Sequence, residues 1–194
     1  QTVKEDPARQ GLLFAGTELG VFVSFDDGGT WQSLQLNLPP GSMRDFAIRG
    51  DDLTVATHGR GFWVLDDISV LRQIDSTAAS AEAILFKPAD AVNMPPGSEF
   101  GTPLPKDEPF AENPPNGAMI DYFLKSAATG PVTLEILDEA GQSVRRFSSD
   151  DKITPVNPDS LTVQAVWVPQ REPLPAARSE ARRGGKEWRS RWSP

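Results

Sequence analysis

Few side chains in this sequence are equipped to act on a ligand. It has no cysteine, one histidine (His58) and one tyrosine (Tyr122). Without cysteine there are no disulfides, thiolate zinc sites or Cys nucleophiles. His58 lies in the run Thr57-His58-Gly59-Arg60, where an imidazole could exchange a proton near neutral pH or simply bond the turn backbone. The guanidinium fork of Arg60 suits a sugar carboxylate or a phosphate, or a structural ion pair with a neighbouring element. Asp45 could act as a general acid or base, or bond nearby backbone. Glu18, in Thr17-Glu18-Leu19, is a solvated turn residue or a ligand contact. Hydrolysis of a glycosidic bond usually needs two carboxylates about 5 to 10 Å apart, and this set contains no verified pair.

These residues need a scaffold, and the scaffold repeats. Leu12 to Val23 (LLFAGTELGVFV) aligns with Leu53 to Val64 (LTVATHGRGFWV) at an offset of 41 residues. Leu12 matches Leu53, Ala15 matches Ala56, Gly20 matches Gly61 and Val23 matches Val64. Each copy reads as an apolar strand, a glycine-containing turn and a second apolar strand, which is a β-hairpin. A period of about 40 to 45 residues with four short strands per unit is the pattern of a β-propeller blade. The first unit is expected to place strands at 11–15, 21–25 and 31–36, with an innermost strand at or before Val3. The second unit places them at 44–49, 53–57, 62–65 and 70–74, with Asn37 to Gly41 as the crossing between units. With 16 Gly and 18 Pro the chain is turn-rich, which agrees with an all-β class.

Strand directions alternate in such a unit. The turn at 17–19, the turn at 57–60 and the crossing leading to Asp45 therefore share one face. Glu18, Asp45, His58 and Arg60 gather there. Trp63 is expected to be core between the units rather than a stacking platform for a sugar.

Ser24-Phe25-Asp26-Asp27-Gly28-Gly29-Thr30-Trp31 fits Ser-x-Asp-x-Gly-x-Thr-Trp. A Ser and an Asp two residues apart can satisfy turn backbone groups. Gly28 permits a positive φ, and Trp31 supplies a large apolar cap. A calcium loop of the Asp-x-Asp-x-Asp-Gly kind is the rival, but the acidic positions are too few. The segment resembles an Asp box, or BNR repeat, as in sialidases, some glucan-cleaving propellers and sortilin-type propellers. Its counterpart Leu65-Asp66-Asp67-Ile68-Ser69 is degenerate, with Asp67 matching Asp26. The run ATHGRGFWVLDDIS with Leu71-Arg72, then Asn113-Pro114-Pro115-Asn116-Gly117-Ala118, Ile120-Asp121-Tyr122 and Val144 to Phe147, is similar to the C-terminal end of bacterial BNR or sortilin-like proteins labelled glycosyl hydrolases. That resemblance covers residues 3–177. It implies an exported protein, extracellular or periplasmic, of which this chain is a C-terminal fragment. A sialidase would also need an arginine triad and a nucleophilic Tyr, yet Tyr122 lies in the second domain.

Four segments follow: 1–84, the last one and a half to two blades; 85–117, a proline-rich linker; 118–177, a truncated immunoglobulin-like β-domain; and 178–194. The third is read from MIDYFLK, VTLEILD and SVRRFS, with a turn at 138–141, a half-buried alternation along 132–137, and a further strand at 163–168. The last segment, RSEARRGGKEWRSRWSP, resembles a translated short-read sequencing adapter and is set aside from the fold. It carries six Lys or Arg and two Glu, so the remainder moves from −8 to −12. Such acidity argues against nucleic acid as partner, and no apolar run approaches the roughly 18 residues of a membrane span.

The expected function is therefore a non-catalytic structural or ligand-binding part of a glycosyl-hydrolase-like propeller. No cofactor or metal is called for. The partners are the remaining blades and either carbohydrate or peptide. A glycosidase with part of its site on this face, and a sortilin-like peptide-binding scaffold, are the alternatives. A blade buries its faces against neighbours, so the fragment alone is expected to expose apolar surface.

Overall fold

A computed structural model describes residues 2–91, 118–152, 157, 161, 174 and 192–193. The chain is built from short antiparallel strands with almost no helix. Sheet 1 runs in the order β1 (Thr2–Glu5), β2 (Leu13–Gly16), β3 (Val21–Ser24) and β4 (Gln32–Ser33). Sheet 2 contains β5 (Met43–Arg49), β6 (Asp52–Thr57) and β7 (Phe62–Leu65), again neighbour to neighbour. Both are simple up-and-down meanders, because each connection is short enough for adjacent antiparallel strands.

One core joins the two sheets. Leu12, Phe14, Val21 and Val23 of the first unit lie in a single buried cluster with Met43, Phe46, Leu53, Val55 and Leu65 of the second. Leu38 of the crossing is buried with them. Gln35 holds the crossing in place: its Oε1 accepts the Val21 N–H (3.2 Å) and its Nε2 donates to the Leu38 carbonyl (2.6 Å). The sheets approach closely at Gly16, where an added Cβ would lie 2.9 Å from the Met43 Cβ and 3.2 Å from the Phe46 ring.

The internal repeat is present, with one register difference. Thr17 donates its N–H and hydroxyl to the Gly20 carbonyl (2.9 and 3.2 Å), and Thr57 does the same to Gly61 (3.0 and 2.7 Å). At the opposite end the Asp27 N–H bonds the Gly11 carbonyl, and the Ile68 N–H bonds that of Asp51. These bonds relate β2 to β6 by 40 residues and β3 to β7 by 41. The uniform offset of 41 is thus one residue out along β2, because the Thr57–Gly61 turn holds one residue more than Thr17–Gly20. Both faces of these strands carry apolar side chains, so a one-residue slip still aligns leucine with leucine.

The strand expected at 70–74 is not formed. Val70 has helical dihedrals and Leu71–Gln73 make one turn of 3-10 helix. The apolar spacing of Val70, Leu71 and Ile74 suits a turn of helix as well as a strand. The Leu71 N–H bonds the Ile68 carbonyl and that of Gln73 bonds Val70. The fourth place in sheet 2 is taken instead by β12 (Trp192–Ser193), which pairs antiparallel with Leu65 and Val64. These two residues belong to the segment that the sequence reading set aside.

Beyond sheet 2, Ser76–Ser80 form helix α1, capped by Asp75 Oδ1 on the Ala78 N–H (2.7 Å). β8 (Ala83–Leu85) pairs with β9 (Tyr122–Leu124), and the Phe86 N–H reaches the Asp121 carbonyl. The first residues assigned to the linker, Leu85 and Phe86, are therefore part of the contact with the later β segment, and Phe86 is buried. β10 (Thr133–Leu137) and β11 (Ser143–Ser148) form a hairpin around the expected turn. Asp138 Oδ1 there accepts the Ala140 and Gln142 N–H groups, and Gly141 has φ +76°. The half-buried alternation expected along 132–137 holds in part: Val132 and Leu134 are partly buried beside exposed Thr133 and Glu135, whereas Ile136 and Leu137 are exposed. The strand expected at 163–168 lies outside the described residues.

Candidate functional site

The two ends of the paired sheets differ in how their charged groups are used. At one end lie the central turns 17–20 and 57–61 together with the crossing residues 41–43. Backbone bonds stitch these three segments: the Met43 N–H donates to the Thr17 carbonyl (2.8 Å), and the His58 N–H to that of Ser42 (2.9 Å). The shared end expected for Glu18, Asp45 and His58 follows from these bonds and from the pairing of Asp45 with Ala56.

Each of the four ionisable residues there is exposed. Asp45 sits beside an irregularity in the β5–β6 register and its Oδ1 accepts its own neighbour's N–H, from Phe46 (2.9 Å). The main chain of His58 is anchored at Ser42, while Arg60 offers its carbonyl to the Trp63 indole N–H (2.9 Å). Trp63 itself packs partly buried against the core, as expected. Among the described residues, no ion pair or side-chain hydrogen bond joins any two of Glu18, Asp45, His58 and Arg60. Among the described residues, Arg60 makes no ion pair.

The other end is locked by its charges. Ser24 Oγ donates to Asp26 Oδ1 (2.8 Å) and accepts the Gly28 N–H (2.9 Å). Asp26 then receives the Thr30 N–H on Oδ1 (2.8 Å) and the Thr30 hydroxyl on Oδ2 (2.7 Å). The two Thr30 bonds, with the Ser24 hydroxyl, hold the Asp26 carboxyl below its ordinary value. Gly28 has φ +87°, and an added Cβ there would touch the Trp31 ring and Leu13. Trp31 covers Gly28 but remains exposed, so it is less of an apolar cap than the sequence suggested. In the second unit Asp67 Oδ1 accepts only the Ser69 N–H (3.1 Å), in keeping with the missing Ser, Gly and Thr-Trp.

Asp6, Arg72 and Asp51 form an ionic cluster at this end that the sequence reading did not single out. The Arg72 Nη2 lies 2.9 Å from Asp6 Oδ2, its Nη1 pairs with Asp51, and Nη2 also donates to the Gly50 carbonyl (2.8 Å). Asp6 is buried and accepts the Ala8 and Arg9 N–H groups (2.8 Å each). Arg9 in turn donates to the Leu71 carbonyl (2.6 Å) and stacks over Phe25. A proline after Asp6 and an arginine after two apolar strands were the available signals, and neither implies a contact across 66 residues.

Among the described residues, no group of three or more His, Asp or Glu could hold a metal ion. No helix among them is long and apolar enough to cross a membrane. No family model, curated protein or solved structure matches the chain.

Proposed function

We propose that this chain is the terminal part of an exported Asp-box β-propeller protein of the glycosyl-hydrolase-like group, in which it serves as a structural and carbohydrate-binding part without catalysis. Residues 2–65 would be its last blades, with 118–152 part of an immunoglobulin-like domain. The hydrogen-bonded loop Ser24–Trp31 would be the blade fastening, facing away from the ligand. The observation that carries the binding reading is the contrast between the two ends. One end spends Asp6, Asp26, Asp51 and Arg72 on internal contacts. The other stitches three turns together through backbone and leaves the side chains of Glu18, His58 and Arg60 exposed and, among the described residues, without partners. Unpaired polar side chains on a hydrogen-bonded backbone leave donors and acceptors free for a sugar or its carboxylate, at the cost of ordering those side chains.

A glycan array probed with the whole chain tests this. Binding to acidic or neutral glycans that falls about tenfold or more in Arg60→Ala supports the reading. Absence of glycan binding, or binding indifferent to Arg60→Ala and His58→Ala, overturns it. Capture of extended peptides on a peptide array instead would favour the sortilin-like scaffold.

A further inference from the structure

The loop Ser24–Trp31 contains a dipeptide whose own chemistry its hydrogen bonds do not use. Asp27 is followed by Gly28, so no side chain shields the peptide nitrogen beside the Asp27 carboxyl. Asp27 is exposed, and among the described residues its carboxylate has no partner. Its backbone is left-handed, with φ +56°. The main chain on either side is tied down. The Asp27 N–H bonds the Gly11 carbonyl (3.0 Å), and the Gly28 N–H bonds Ser24 Oγ (2.9 Å). Ser24 is buried, and its hydroxyl is fixed in turn by donation to Asp26 Oδ1 (2.8 Å). The nitrogen next to the free carboxyl is therefore held by a buried side chain.

We propose that Asp27–Gly28 is a site of spontaneous aspartate isomerisation and that the hydrogen bond from Gly28 to Ser24 restrains it. In this reaction the Gly28 nitrogen bonds to Cγ of the protonated Asp27 carboxyl, and the N–H proton and the carboxyl hydroxyl leave as water. The five-membered succinimide then takes up water at either carbonyl. Opening the bond from nitrogen to Cγ restores aspartate. Opening the bond from nitrogen to the main-chain carbonyl leaves the chain running through Cγ, as isoaspartate. One water leaves and one enters, so the mass is unchanged and water is the only co-reactant. Ser24 opposes the first step in two ways: the bonded nitrogen keeps its proton, and it cannot swing onto Cγ while tethered. Isoaspartate lengthens the backbone by one carbon, so the product loop loses the fit of Gly28 to Ser24. Asp67 is the internal comparison. It is also left-handed, with φ +55°, but the next residue is the buried, branched Ile68, whose side chain shields its nitrogen. This inference concerns the loop and not the turn end that carries Glu18, His58 and Arg60, so it stands apart from the glycan-binding reading.

Incubation of the whole chain at neutral pH, followed by tryptic mapping with electron-transfer fragmentation, tests it. Asp27 lies in the tryptic peptide 10–44 and Asp67 in 61–72, so the two sites are read separately. In denaturant, isoaspartate should accumulate at Asp27 and not at Asp67. In the folded chain the rate at Asp27 should be about fivefold lower or less, the population factor that one ordinary hydrogen bond commands. Ser24→Ala should remove most of that difference. Thr30→Val breaks the hydroxyl bond to Asp26 but leaves Gly28 tied to Ser24, and its rate should stay within about twofold of the unaltered chain. Far-UV circular dichroism checks that both variants fold. If Ser24→Ala does not, the ratio of folded to denatured rates and the Thr30→Val rate decide. No isoaspartate at Asp27 in denaturant, or equal rates in the folded and denatured chain, overturns the proposal. A folded Ser24→Ala with no acceleration, or the same acceleration in Thr30→Val, overturns it equally.

Discussion

Arg72 and Asp6, 66 residues apart, form a two-pronged ion pair with Nε–Oδ2 at 3.0 Å and Nη2–Oδ2 at 2.9 Å. The pair ties the loop after β1 to the 3-10 turn after β7. Burial works against the charge on Arg72, but Asp6 and then Asp51 more than offset it and raise its pKa above the usual value. The guanidinium is therefore permanently charged and its role is structural.

Removing one partner leaves the other charge buried. Arg72→Met should lower folding stability by about 3 to 5 kcal/mol, the usual loss when a buried pair is broken from one side. Arg72→Lys should lose less, since an ammonium keeps the charge but not the fork. Urea unfolding reads both, and a loss below about 1 kcal/mol for Arg72→Met would show that the cluster is incidental.

Asp26 makes a pH prediction. Its folded pKa lies below the 3.8 of an ordinary aspartate, because Thr30 and Ser24 bond the charged form. Its ionised form therefore stabilises the loop fully above that value. The contribution is lost as pH falls through the depressed folded pKa. Stability should not respond to this group between pH 7 and about pH 5. In an NMR titration the Asp26 carboxyl carbon should have its midpoint below 3.8. Thr30→Val, which removes the hydroxyl donor but keeps the N–H, should move that midpoint up. A midpoint at or above the ordinary value would contradict the bonding described.

The hairpin pattern and the Ser24–Trp31 loop were legible because both are local. Apolar alternation with glycine turns determines β2, β3, β6 and β7, and the spacing of Ser24, Asp26 and Thr30 determines the loop bonds. The 40-residue register of β2 with β6 was not legible, since both faces are apolar and a slip costs no match. Nor was the cluster of Asp6 with Arg72, which depends on how two sheets stack. Val132 to Leu137 follows its alternation only at the start: Val132 and Leu134 are partly buried, while Ile136, of the same set, is exposed. The exposed set Glu18, Asp45, His58 and Arg60 could be placed at one end by strand direction alone. That the side chains of Glu18, His58 and Arg60 would have no partners among the described residues could not.

Gly16 tests the closeness of the two sheets. Its φ is not in the left-handed region, so glycine is needed there for space rather than for conformation. A Cβ at 2.9 Å from that of Met43 meets a rigid part of a buried side chain, with Thr2 at 3.1 Å on its other side. Gly16→Ala should therefore destabilise by about 1 to 3 kcal/mol through overpacking. Gly16→Ala combined with Met43→Gly should lose less than the sum of the two single variants, because the second change removes the Cβ that the first one meets. Additive losses in denaturant unfolding would mean that the sheets do not meet at this point.

Arg60 and His58 make the reverse prediction. Neither side chain has a protein partner among the described residues, and both are exposed. Arg60→Ala and His58→Ala should each change folding stability by no more than about 0.5 kcal/mol. The backbone bond from His58 to Ser42 survives in His58→Ala, so the stitching of the three turns is retained. Thermal unfolding of the two variants beside the unaltered chain measures this. A loss well above that range would reveal a structural contact for the side chain. Loss of glycan binding on substitution would then report disruption of the turn rather than removal of a ligand contact.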